Sequence, residues 1–477
     1  MKNIVWFRQD LRLTDNPALA HAASKGSVIG LYVLDETEDP SLRALGSASR
    51  WWLHHSLSRL EEAFGGIVYL RGDPRQVVPA FAQETGAQGV YWNRRYEPEA
   101  IETDTAVKAK LKADGFDVAS FNGALLFEPW EVKTQTDGPY KVYSAFWRAC
   151  LRQSISQPHP APEFVSELPA GSGEPLSEWK LVPDSPDWAD GFGPVWQPGE
   201  AGSQQRLEAF LKSGIAGYGH LRDRPDLENV SRLSPHIHFG EISPRQIWAA
   251  AKRCAQRSQD LEGDIDKFLA EIGWREFSNH LLYHFPTLPK RNLNTSFDAY
   301  PWVDSDARLR AWQKGRTGYP LVDAGMRELW STGYMHNRVR MVAASFLTKH
   351  LQIDWRQGED WFWDTLVDAD LANNTASWQW VAGSGADAAP YFRIFNPTAQ
   401  GRKFDPDGSY VRRWCPELAE LPAKHIHAPS EAPPEILERA GVVLGQTYPL
   451  PMIDHKQARA AALDGYEVVK KSAAAAN

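Results

Sequence analysis

A chain of 477 residues with 43% hydrophobic and 23% charged residues is typical of a globular protein and long enough to form two hydrophobic cores. No apolar run approaches the roughly 20 residues that span a bilayer, and charges interrupt the amino terminus where a signal peptide would be apolar. We therefore expect a cytoplasmic protein without a membrane partner. The net charge of −8 argues against nucleic-acid binding, but the placement of basic residues matters more than their sum.

Cysteine and tryptophan usage narrow the possible chemistry. The three cysteines, Cys150, Cys254 and Cys415, are far apart and odd in number, which excludes four-cysteine iron–sulfur ligation and favours neither a disulfide framework nor a metal site. Tryptophan occurs 20 times, as often as phenylalanine and more often than tyrosine. This excess indicates stacking surfaces or an electron-transfer relay, although for any single tryptophan a core position is the better expectation.

The amino-terminal part of the chain alternates short β-rich runs with helical patterns. We predict strands at residues 4–7, 28–34, 67–70, 89–92 and 118–121, and helices at residues 16–24, 47–64, 74–85 and 97–113. This alternation is typical of a doubly wound parallel sheet, which binds ligands at the carboxyl ends of its strands. The first turn lacks the Gly-x-Gly-x-x-Gly phosphate loop, so this is not an ordinary NAD domain.

A connector and a helical region follow the predicted sheet. Residues 158–198 are rich in Pro, Gly, Ser and acidic residues, as expected of a long linker. Beyond residue 202 the strand signal is almost absent, and helical patterns occur at residues 204–211, 244–257, 265–282, 321–331, 338–350 and 360–368. We predict an α/β domain at residues 1–130, a connector at 131–199 and an all-helical domain at 200–477.

Two polar segments are candidate ligand sites. The segment from Tyr218 and the turn from Ser231 to a predicted helix start carry hydroxyl and N–H groups that suit phosphate, although a capped loop with surface arginines fits the same residues. Glu271 and Trp274 share a helix face with Arg275 adjacent. A carboxyl beside an indole could bind a flat ligand. The alternative is a Glu271–Arg275 ion pair next to a core tryptophan.

The segment MHNRVRM places Asn337, Arg338, Arg340 and Met341 within two helical turns. The apolar residues that follow make a fully solvated charged helix a poor interpretation. A buried Arg340 would need a carboxylate partner, and Asp368 is the candidate.

The run DADLANNTASWQW, residues 368–380, is too polar for core filler, because buried polar groups are costly unless they have partners. Its acids and amides predict a polar ligand with many donors and acceptors. Mg²⁺ is one candidate, but no Gly-rich nucleotide loop accompanies it. An isoalloxazine ring fits better, since its edge presents alternating donors and acceptors.

These motifs together resemble the photolyase/cryptochrome family. They occur in order over nearly the whole chain, as WFRQDLRLTDNPAL, TGYPLVDAGMRELWSTGYMHNRVRM, DWRQGE, DADLANNTASWQW and APYFRIFNP. The resemblance implies an amino-terminal α/β antenna domain, a long connector and a helical domain that holds a folded-over FAD. It also implies repair of ultraviolet-induced pyrimidine dimers by light-driven electron transfer.

The same resemblance assigns a cofactor site. The residues implied to bind FAD are Tyr218, Ser231, Leu233, Ser234, Arg275, Arg340, Asp368, Asp370 and Asn374. Arg340 would pair with Asp368 beside the isoalloxazine, and Asn374 would lie against flavin N5. Asparagine there is the choice of repair enzymes, whereas similar plant cryptochromes carry aspartate and animal ones cysteine.

The resemblance also assigns residues to the substrate and to photoreduction. The lesion site would comprise Glu271, Trp274, Asn337, Met341 and Trp380. Arg222, Arg338 and Arg393 would lie at or near the DNA backbone, and residues 393–413 carry a local basic excess of three. Trp378, Trp355 and Trp302 match the chain that carries electrons to the flavin. Glu271, Asn374 and these three tryptophans are the residues to which we assign catalytic roles.

A single residue and one motif imply which subtype of the family this chain resembles. Asn337 stands where (6-4) photolyases carry histidine, which favours a cyclobutane pyrimidine dimer, and the LSPHIHFGEIS motif resembles bacterial class III photolyases. Two positions depart from the family pattern: Val230 replaces a frequent threonine and Tyr334 a frequent tryptophan. We expect a monomer whose antenna is methenyltetrahydrofolate, with a deazaflavin or ribityl-lumazine as alternatives. The competing interpretation is a blue-light receptor that repairs nothing.

Overall fold

All five predicted strands are present in the computed structural model, which describes residues 1–36, 43–388 and 393–476. They form one parallel sheet in the order β3-β2-β1-β4-β5. The strands are β1 (Lys2–Phe7), β2 (Ser27–Leu34), β3 (Ile67–Arg71), β4 (Gly89–Asn93) and β5 (Asp117–Phe121). Strand order reverses between β1 and β4, which is where ligands of doubly wound sheets bind.

Four helices alternate with these strands, as the sequence predicts, and most of them begin at an identifiable capping or proline signal. They are α1 (Pro17–Lys25), α2 (Ser47–Phe64), α3 (Pro74–Thr85) and α4 (Pro98–Ala113). The side chain of Asn16 accepts a hydrogen bond from the Leu19 N–H at the start of α1, and Asp73 caps α3 by accepting the Arg75 N–H. Gly65 ends α2 in the left-handed conformation with φ 87°, where glycine carries no steric penalty.

The regular elements of the remaining described structure are helices, apart from two isolated bridges. Its helices are α5 (Tyr143–Cys150), α6 (Glu200–Ala209), α7 (Tyr218–Leu221), α8 (Ser234–His238), α9 (Pro244–Arg257), α10 (Glu262–His284), α11 (Asp306–Gln313), α12 (Pro320–Thr332), α13 (Asn337–Ser345), α14 (Trp355–Thr365), α15 (Leu371–Ala382), α16 (Pro397–Phe404), α17 (Ser409–Trp414), α18 (Ala423–Ile426), α19 (Pro434–Arg439) and α20 (His455–Ala476). Short 3₁₀ turns lie at Leu176–Trp179, Gln259–Leu261, Thr295–Ala299, Pro416–Leu418 and Pro429–Glu431. Within the described ranges, the connector at 158–198 contains only the first of these turns and one isolated bridge, from Ser166 to Val28.

Two helices differ from their predicted bounds. The pattern at 360–368 is part of α14, which begins earlier, at Trp355, because Asp354 caps it by accepting the Arg356 N–H at 3.0 Å. That helix ends at Thr365, since Leu366 is extended, so Asp368 lies in a loop. The pattern at 338–350 is α13 followed by a π-helical turn, Phe346–His350.

The chain divides into two compact units, each assembled from separate segments. The first unit comprises Met1–Ala216, Ser231–Pro286 and Val367–Ala372; the second comprises Gly217–Val230, Thr287–Leu366 and Asn373–Asn477. The first contains the sheet, whose buried core includes Ile4, Trp6 and Ile29. The second is helical, and Tyr300 and Val469 form one of its apolar clusters. The boundaries at 130 and 199 remain a prediction.

No helix in the described part of the chain is long and apolar enough to cross a membrane.

A pair of histidines in the second unit, the buried His350 and the half-buried His455, makes stability depend on pH. His350 Nε2 lies 2.9 Å from His455 Nδ1 at the start of α20, and burial together with the neighbouring His455 lowers the pKa of His350 to about 3. His350 therefore binds a proton near pH 6.5 in the unfolded chain, but only near pH 3 in the folded chain. Stability should be full above pH 6.5 and fall toward pH 3 by about 1.4 kcal/mol per pH unit.

Urea unfolding across this pH range measures the effect, with His350→Gln as the comparison. The variant should show a shallower loss of stability between pH 6.5 and pH 4. An identical slope in both proteins would show that the pair does not control it.

Candidate functional site

The Ser231–Ser234 turn contacts one of the predicted flavin aspartates. Ser234 Oγ donates a hydrogen bond of 2.6 Å to Asp368 Oδ2, and both residues belong to the first unit. The Leu233 N–H points to Ser231 Oγ at 3.4 Å, and Arg232 adopts φ 50°, in the left-handed region. The turn thus holds its hydroxyl groups in one fixed geometry beside a buried carboxylate.

Asp370 lies beside a histidine with unused hydrogen-bonding capacity. His238 is 5% exposed, and its Nδ1 is 3.5 Å from Asp370 Oδ2. Neither ring nitrogen of His238 makes a hydrogen bond within the described structure. Buried nitrogens without partners are rare in native proteins, so a polar ligand is expected to bind here. Together with Ser234 and Asp368, this donor and acceptor set fits the phosphates and hydroxyls of FAD.

A polar cleft lies at the carboxyl edge of the sheet, where β1 and β4 diverge. It is lined from the sheet side by Asp10 and Asn93, and farther along the chain by Arg275, Asn279 and Asp370. Two predicted cofactor residues, Arg275 and Asp370, therefore share one cleft. All of its lining residues belong to the first unit.

Arg95 and Glu97, which both line this cleft, carry opposite charges and form an ion pair. Arg95 Nη2 lies 2.9 Å from Glu97 Oε1. Burial alone would raise the pKa of Glu97, but the Arg95 guanidinium outweighs it and holds that pKa below its ordinary value. Glu97 is therefore ionised at neutral pH, and the cleft can contact both cationic and anionic parts of a ligand.

Arg275 is positioned by the backbone rather than by Glu271. Its Nη1 donates to the Ala124 carbonyl at 2.8 Å and lies 3.5 Å from Glu276 Oε1. Glu276 is buried, which raises its pKa to about 7, and its Oε2 accepts the Leu126 N–H at 2.9 Å. Among the described residues, Arg275 lies near Glu276, and Glu271 lies near Lys267.

Glu271 and Trp274 have partners that the sequence did not indicate. Glu271 Oε1 lies 3.5 Å from Lys267 Nζ, one turn earlier on α10. The Trp274 ring stacks on Tyr143 of α5, with centroids 3.8 Å apart and planes 9° apart. The Glu271 carboxyl, which is predicted to lie at the lesion site, is thus partly exposed and paired, while the Trp274 indole is held rigidly by an aromatic neighbour.

In the second unit, a buried glutamate fixes Asn374. Asn374 Nδ2 donates to Glu359 Oε1 at 2.7 Å and to the Glu359 carbonyl at 3.1 Å. Both side chains are buried, Asn374 at 9% and Glu359 at 3% exposure. Because both Asn374 amide hydrogens can be used by Glu359, the Asn374 oxygen remains available as an acceptor.

The arginines of α13 point to different partners. Arg340 Nε donates to the Met335 carbonyl at 2.6 Å, and its guanidinium lies 5.1 Å from the Tyr334 ring centroid. Arg338 Nη2 lies 2.6 Å from Asp223 Oδ2. Arg340 belongs to the second unit and Asp368 to the first, so their predicted pairing stays a prediction.

The remaining predicted substrate residues lie in the second unit with different exposure. Asn337 and Arg393 are exposed, and Met341 and Trp380 are half-buried. The Arg222 guanidinium lies 5.5 Å from the ring of Tyr218, a buried residue predicted to bind the cofactor. The first four residues of the APYFRIFNP motif, 389–392, lie outside the described residues.

The three tryptophans that are predicted to relay electrons differ in burial, from buried to half-buried. Trp378 and Trp355 are buried, and the Trp355 indole N–H donates to Asn292 Oδ1 at 2.9 Å. Trp302 is half-buried and packs on Tyr300 with ring centroids 4.3 Å apart. This gradient is the one expected of a chain that ends at solvent.

Gly358 on α14 leaves room for the Trp378 ring. A Cβ at this position would lie 2.2 Å from Trp378 Cη2 and 2.5 Å from Leu347 Cδ2. We expect Gly358→Ala to lower the free energy of unfolding by about 2 kcal/mol through overpacking, measured by urea denaturation. Gly263→Ala is the control, because that helical position has no atom within 4 Å and the substitution should be neutral or stabilising. Equal stability of the two variants would contradict this packing argument.

Sequence reasoning missed four residues that support the candidate site: Tyr143, His238, Glu276 and Glu359. Glu359 lies within the quoted DWRQGE motif and His238 within LSPHIHFGEIS. A glutamate on the apolar face of α14 is the one signal that could have identified Glu359. The Tyr143–Trp274 stack joins two positions far apart along the chain and has no local signature.

Comparisons with known proteins agree with this geometry. The chain matches the family described as DNA photolyase over residues 3–164 and the FAD binding domain of DNA photolyase over residues 268–468. A deoxyribodipyrimidine photo-lyase of Agrobacterium fabrum is 52% identical, over 98% of this chain and 98% of that protein. The crystal structure of a bacterial class III photolyase from Agrobacterium tumefaciens is 51% identical with a TM-score of 0.95 and covers 98% of each chain. Cryptochrome-1 of Arabidopsis thaliana is 38% identical over 96% of this chain and 69% of that protein.

The chain therefore belongs to the photolyase/cryptochrome family. It is a DNA photolyase with the FAD-binding helical domain of that family, and the predicted fold class is confirmed.

Proposed function

We propose that this protein repairs cyclobutane pyrimidine dimers in DNA by light-driven electron transfer from reduced FAD. The observation that carries the proposal is the buried side-chain amide of Asn374, whose Nδ2 donates a hydrogen bond of 2.7 Å to Glu359 Oε1. Asn374 lies on the same helix as Trp378. In the family, that position faces flavin N5, and an amide there distinguishes repair enzymes from plant and animal receptors. The Agrobacterium relatives named as photolyases support the same activity.

The residues proposed to hold the cofactor are Ser231, Leu233, Ser234, Arg275, Asp368 and Asp370, together with Tyr218, Arg340 and Asn374. A ring N–H of His238 offers a donor to phosphate, while Asp368 and Asp370 accept hydrogen bonds from hydroxyl and ring N–H groups. Bound and reduced, FAD would supply light-driven one-electron chemistry for opening the dimer.

The protein side of the reaction is positioning and electrostatics. Glu271 would form a hydrogen bond with a carbonyl of the flipped-out dimer and stabilise the negative charge that develops there. Trp274, stiffened by Tyr143, and Trp380 pack on the bases, and Asn337 and Met341 complete the pocket. No metal and no acid–base turnover is needed.

Arg222, Arg338 and Arg393 position the DNA backbone in this proposal. Arg338 already pairs with Asp223 at 2.6 Å, so its contact with a phosphate requires that this ion pair open. Exposed Arg393 adds positive charge at one end of the basic segment 393–413. Affinity for dimer-containing DNA should therefore fall steeply with salt.

Trp378, Trp355 and Trp302 form the route by which the cofactor is reduced in light. The proposal rests on their graded burial, from the buried Trp378 to the half-buried Trp302. A half-buried terminal indole keeps an edge that external thiols can re-reduce.

The alternative function is a blue-light receptor without repair activity, supported by the similarity to Arabidopsis cryptochrome-1. Asn374 argues against it. The deciding experiment illuminates the purified, reduced protein with dimer-containing DNA and measures dimer loss against a dark control. We expect loss only in light. No light-dependent loss from a protein with an intact flavin spectrum would leave the receptor as the better assignment.

The proposal also covers the antenna chromophore, the oligomeric state of the protein and its location in the cell. We propose methenyltetrahydrofolate as the antenna, with a deazaflavin or ribityl-lumazine as alternatives, and a monomeric protein acting in the cytoplasm. The near-ultraviolet absorption of chromophore released from the purified protein separates the three candidates. The three cysteines, Cys150, Cys254 and Cys415, are free, as suits a reducing compartment.

A further inference from the structure

A lysine of the second unit is buried beside the segment that leads into α16. Lys349 lies in the π-helical turn that follows α13 and is 3% exposed. Its Nζ donates a hydrogen bond to the Arg393 carbonyl. One turn earlier, at the end of α13, Ser345 Oγ accepts the Phe395 N–H at 3.4 Å. Two buried side chains therefore hold the backbone of residues 393–395.

This backbone segment belongs to the part of the second unit where the arginines assigned to DNA lie. Arg393 is exposed, and Asn396 caps α16 by accepting the Ala399 N–H at 3.1 Å. At the end of α16, the Phe404 ring centroid lies 4.4 Å from the Arg338 guanidinium. The segment is thus fixed both at its start and at the helix that follows, so the exposed Arg393 side chain extends from a fixed backbone.

Lysine is a costly residue at a buried position, because its charged form is poorly solvated there. Burial, to which the Arg393 guanidinium adds charge repulsion, lowers the pKa of Lys349 to about 7. Of the charged groups on the described elements around it, Arg393 is the one that acts on Lys349. A methionine would fill similar space without this cost. What lysine adds is a hydrogen bond to the Arg393 carbonyl and a titratable charge facing the Arg393 side chain.

We propose that Lys349 is a positioning residue for DNA binding, which holds the Arg393 backbone and takes up a proton when a phosphate binds the Arg393 side chain. The inference rests on the proposed function, in which Arg393 contacts the DNA backbone. A bound phosphate offsets the charge of Arg393 and so favours the ammonium form of Lys349. The pKa of Lys349 therefore rises on binding, and the complex holds more protons than the free protein above about pH 7. Affinity for DNA should fall as pH rises from there.

The test is fluorescence anisotropy of a labelled duplex that contains a cyclobutane pyrimidine dimer, with the FAD-containing protein in the dark at constant ionic strength. We expect the dissociation constant of the unaltered protein to rise about fivefold between about pH 7 and pH 9. Lys349→Met keeps the side-chain length and removes the charge. It should bind about fivefold more weakly at pH 7 and show no dependence on pH. Lys349→Arg stays charged and should keep the affinity of pH 7 throughout.

The matched control is Lys456→Met, because Lys456 is an exposed cation of α20 that lies outside the basic segment 393–413. Its affinity and its pH profile should equal those of the unaltered protein. A merely structural defect would lower affinity by the same factor at every pH, so the slope of the profile is the deciding measurement. Arg393→Gln removes the charge that faces Lys349 and should flatten the profile as well.

Each outcome supports or overturns the proposal. A flat profile of the unaltered protein overturns it, and so does a profile of Lys349→Met that equals that of Lys456→Met. If Lys349→Met does not fold, a sloping profile in Lys349→Arg or Arg393→Gln has the same meaning. Light-dependent dimer loss is measured separately on the unaltered protein. Its absence, with DNA still bound, would count against the proposed repair function and leave the role of Lys349 intact.

Discussion

Glu271→Ala is expected to lower the yield of dimer repair about tenfold while leaving FAD bound. Removing one hydrogen bond to developing charge costs about 10²–10³ in enclosed sites, and the smaller figure reflects partial exposure. The Glu271 side chain is 28% exposed and lies 3.5 Å from Lys267 Nζ, so solvent and this ammonium already share its interactions. Repair quantum yield per bound flavin, compared with DNA affinity, separates a loss in the chemical step from a loss in binding.

Two further variants identify how Glu271 acts. A carboxyl group donates a hydrogen bond to a carbonyl only when it is protonated, whereas a glutamine amide donates at any pH. Glu271→Gln should therefore retain most of the repair yield. Lys267→Ala is the matched control, since it removes the ion-pair partner and leaves the carboxyl. Full yield from Glu271→Ala would remove Glu271 from its proposed role.

Asn374→Asp should have the second large effect, because it replaces a buried amide by a carboxyl next to Glu359. The present contact is a 2.7 Å hydrogen bond from Asn374 Nδ2 to Glu359 Oε1. Two carboxyl groups at that distance cannot both ionise in a buried site, so one will keep a proton at neutral pH. At the position proposed to face flavin N5, a protonated acid would offer an acidic proton where the amide does not, and we expect repair to fall by about tenfold or more.

The stability of Asn374→Asp gives an independent measure with a definite sign. The shared proton means a folded-state pKa above the unfolded value, so the variant is most stable at low pH and loses stability as pH rises. We expect a deficit of about 2 kcal/mol at the alkaline end, measured by urea unfolding. The double variant Asn374→Asp with Glu359→Gln should recover stability but not repair. Recovery of both would show that the amide acts only through Glu359.

The sequence predicts the strands and helices of the sheet-forming region closely, and the reason is local. Each strand is a short apolar run bounded by turn residues, and helices open with a cap or proline, as at Asn16 and Asp73. Helix α14 is predicted too short, because its first turn carries Trp355 and Arg356 without an apolar repeat. Only the cap at Asp354 marks its true start.

Part of the candidate site can be predicted from local sequence patterns, and part depends on contacts between residues far apart in the sequence. The polar run at 368–380 is visible as a pattern, and the resemblance to a family gives its residues their roles. The contacts that fix those residues join distant positions: Ser234 to Asp368, Arg275 to the Ala124 carbonyl, and Trp274 to Tyr143. No periodicity encodes such pairs, because they arise only when separate segments pack. Their functional roles remain predictions.

The segmented makeup of the first unit has a consequence for biosynthesis. Its last piece, Val367–Ala372, is made after much of the second unit's chain, and the 2.6 Å bond from Ser234 to Asp368 spans 134 residues. A ribosome that has released the chain through Pro286 has therefore delivered the whole sheet but not the carboxylates beside the Ser231–Ser234 turn. Domains generally fold in order from the amino terminus during synthesis. The Ser231–Ser234 turn of this unit therefore cannot complete its contact with Asp368 until the segment ending at Ala372 has been synthesised. Flavin capture is thus a late event, and truncation before that residue should leave a chain that folds its sheet but retains no FAD.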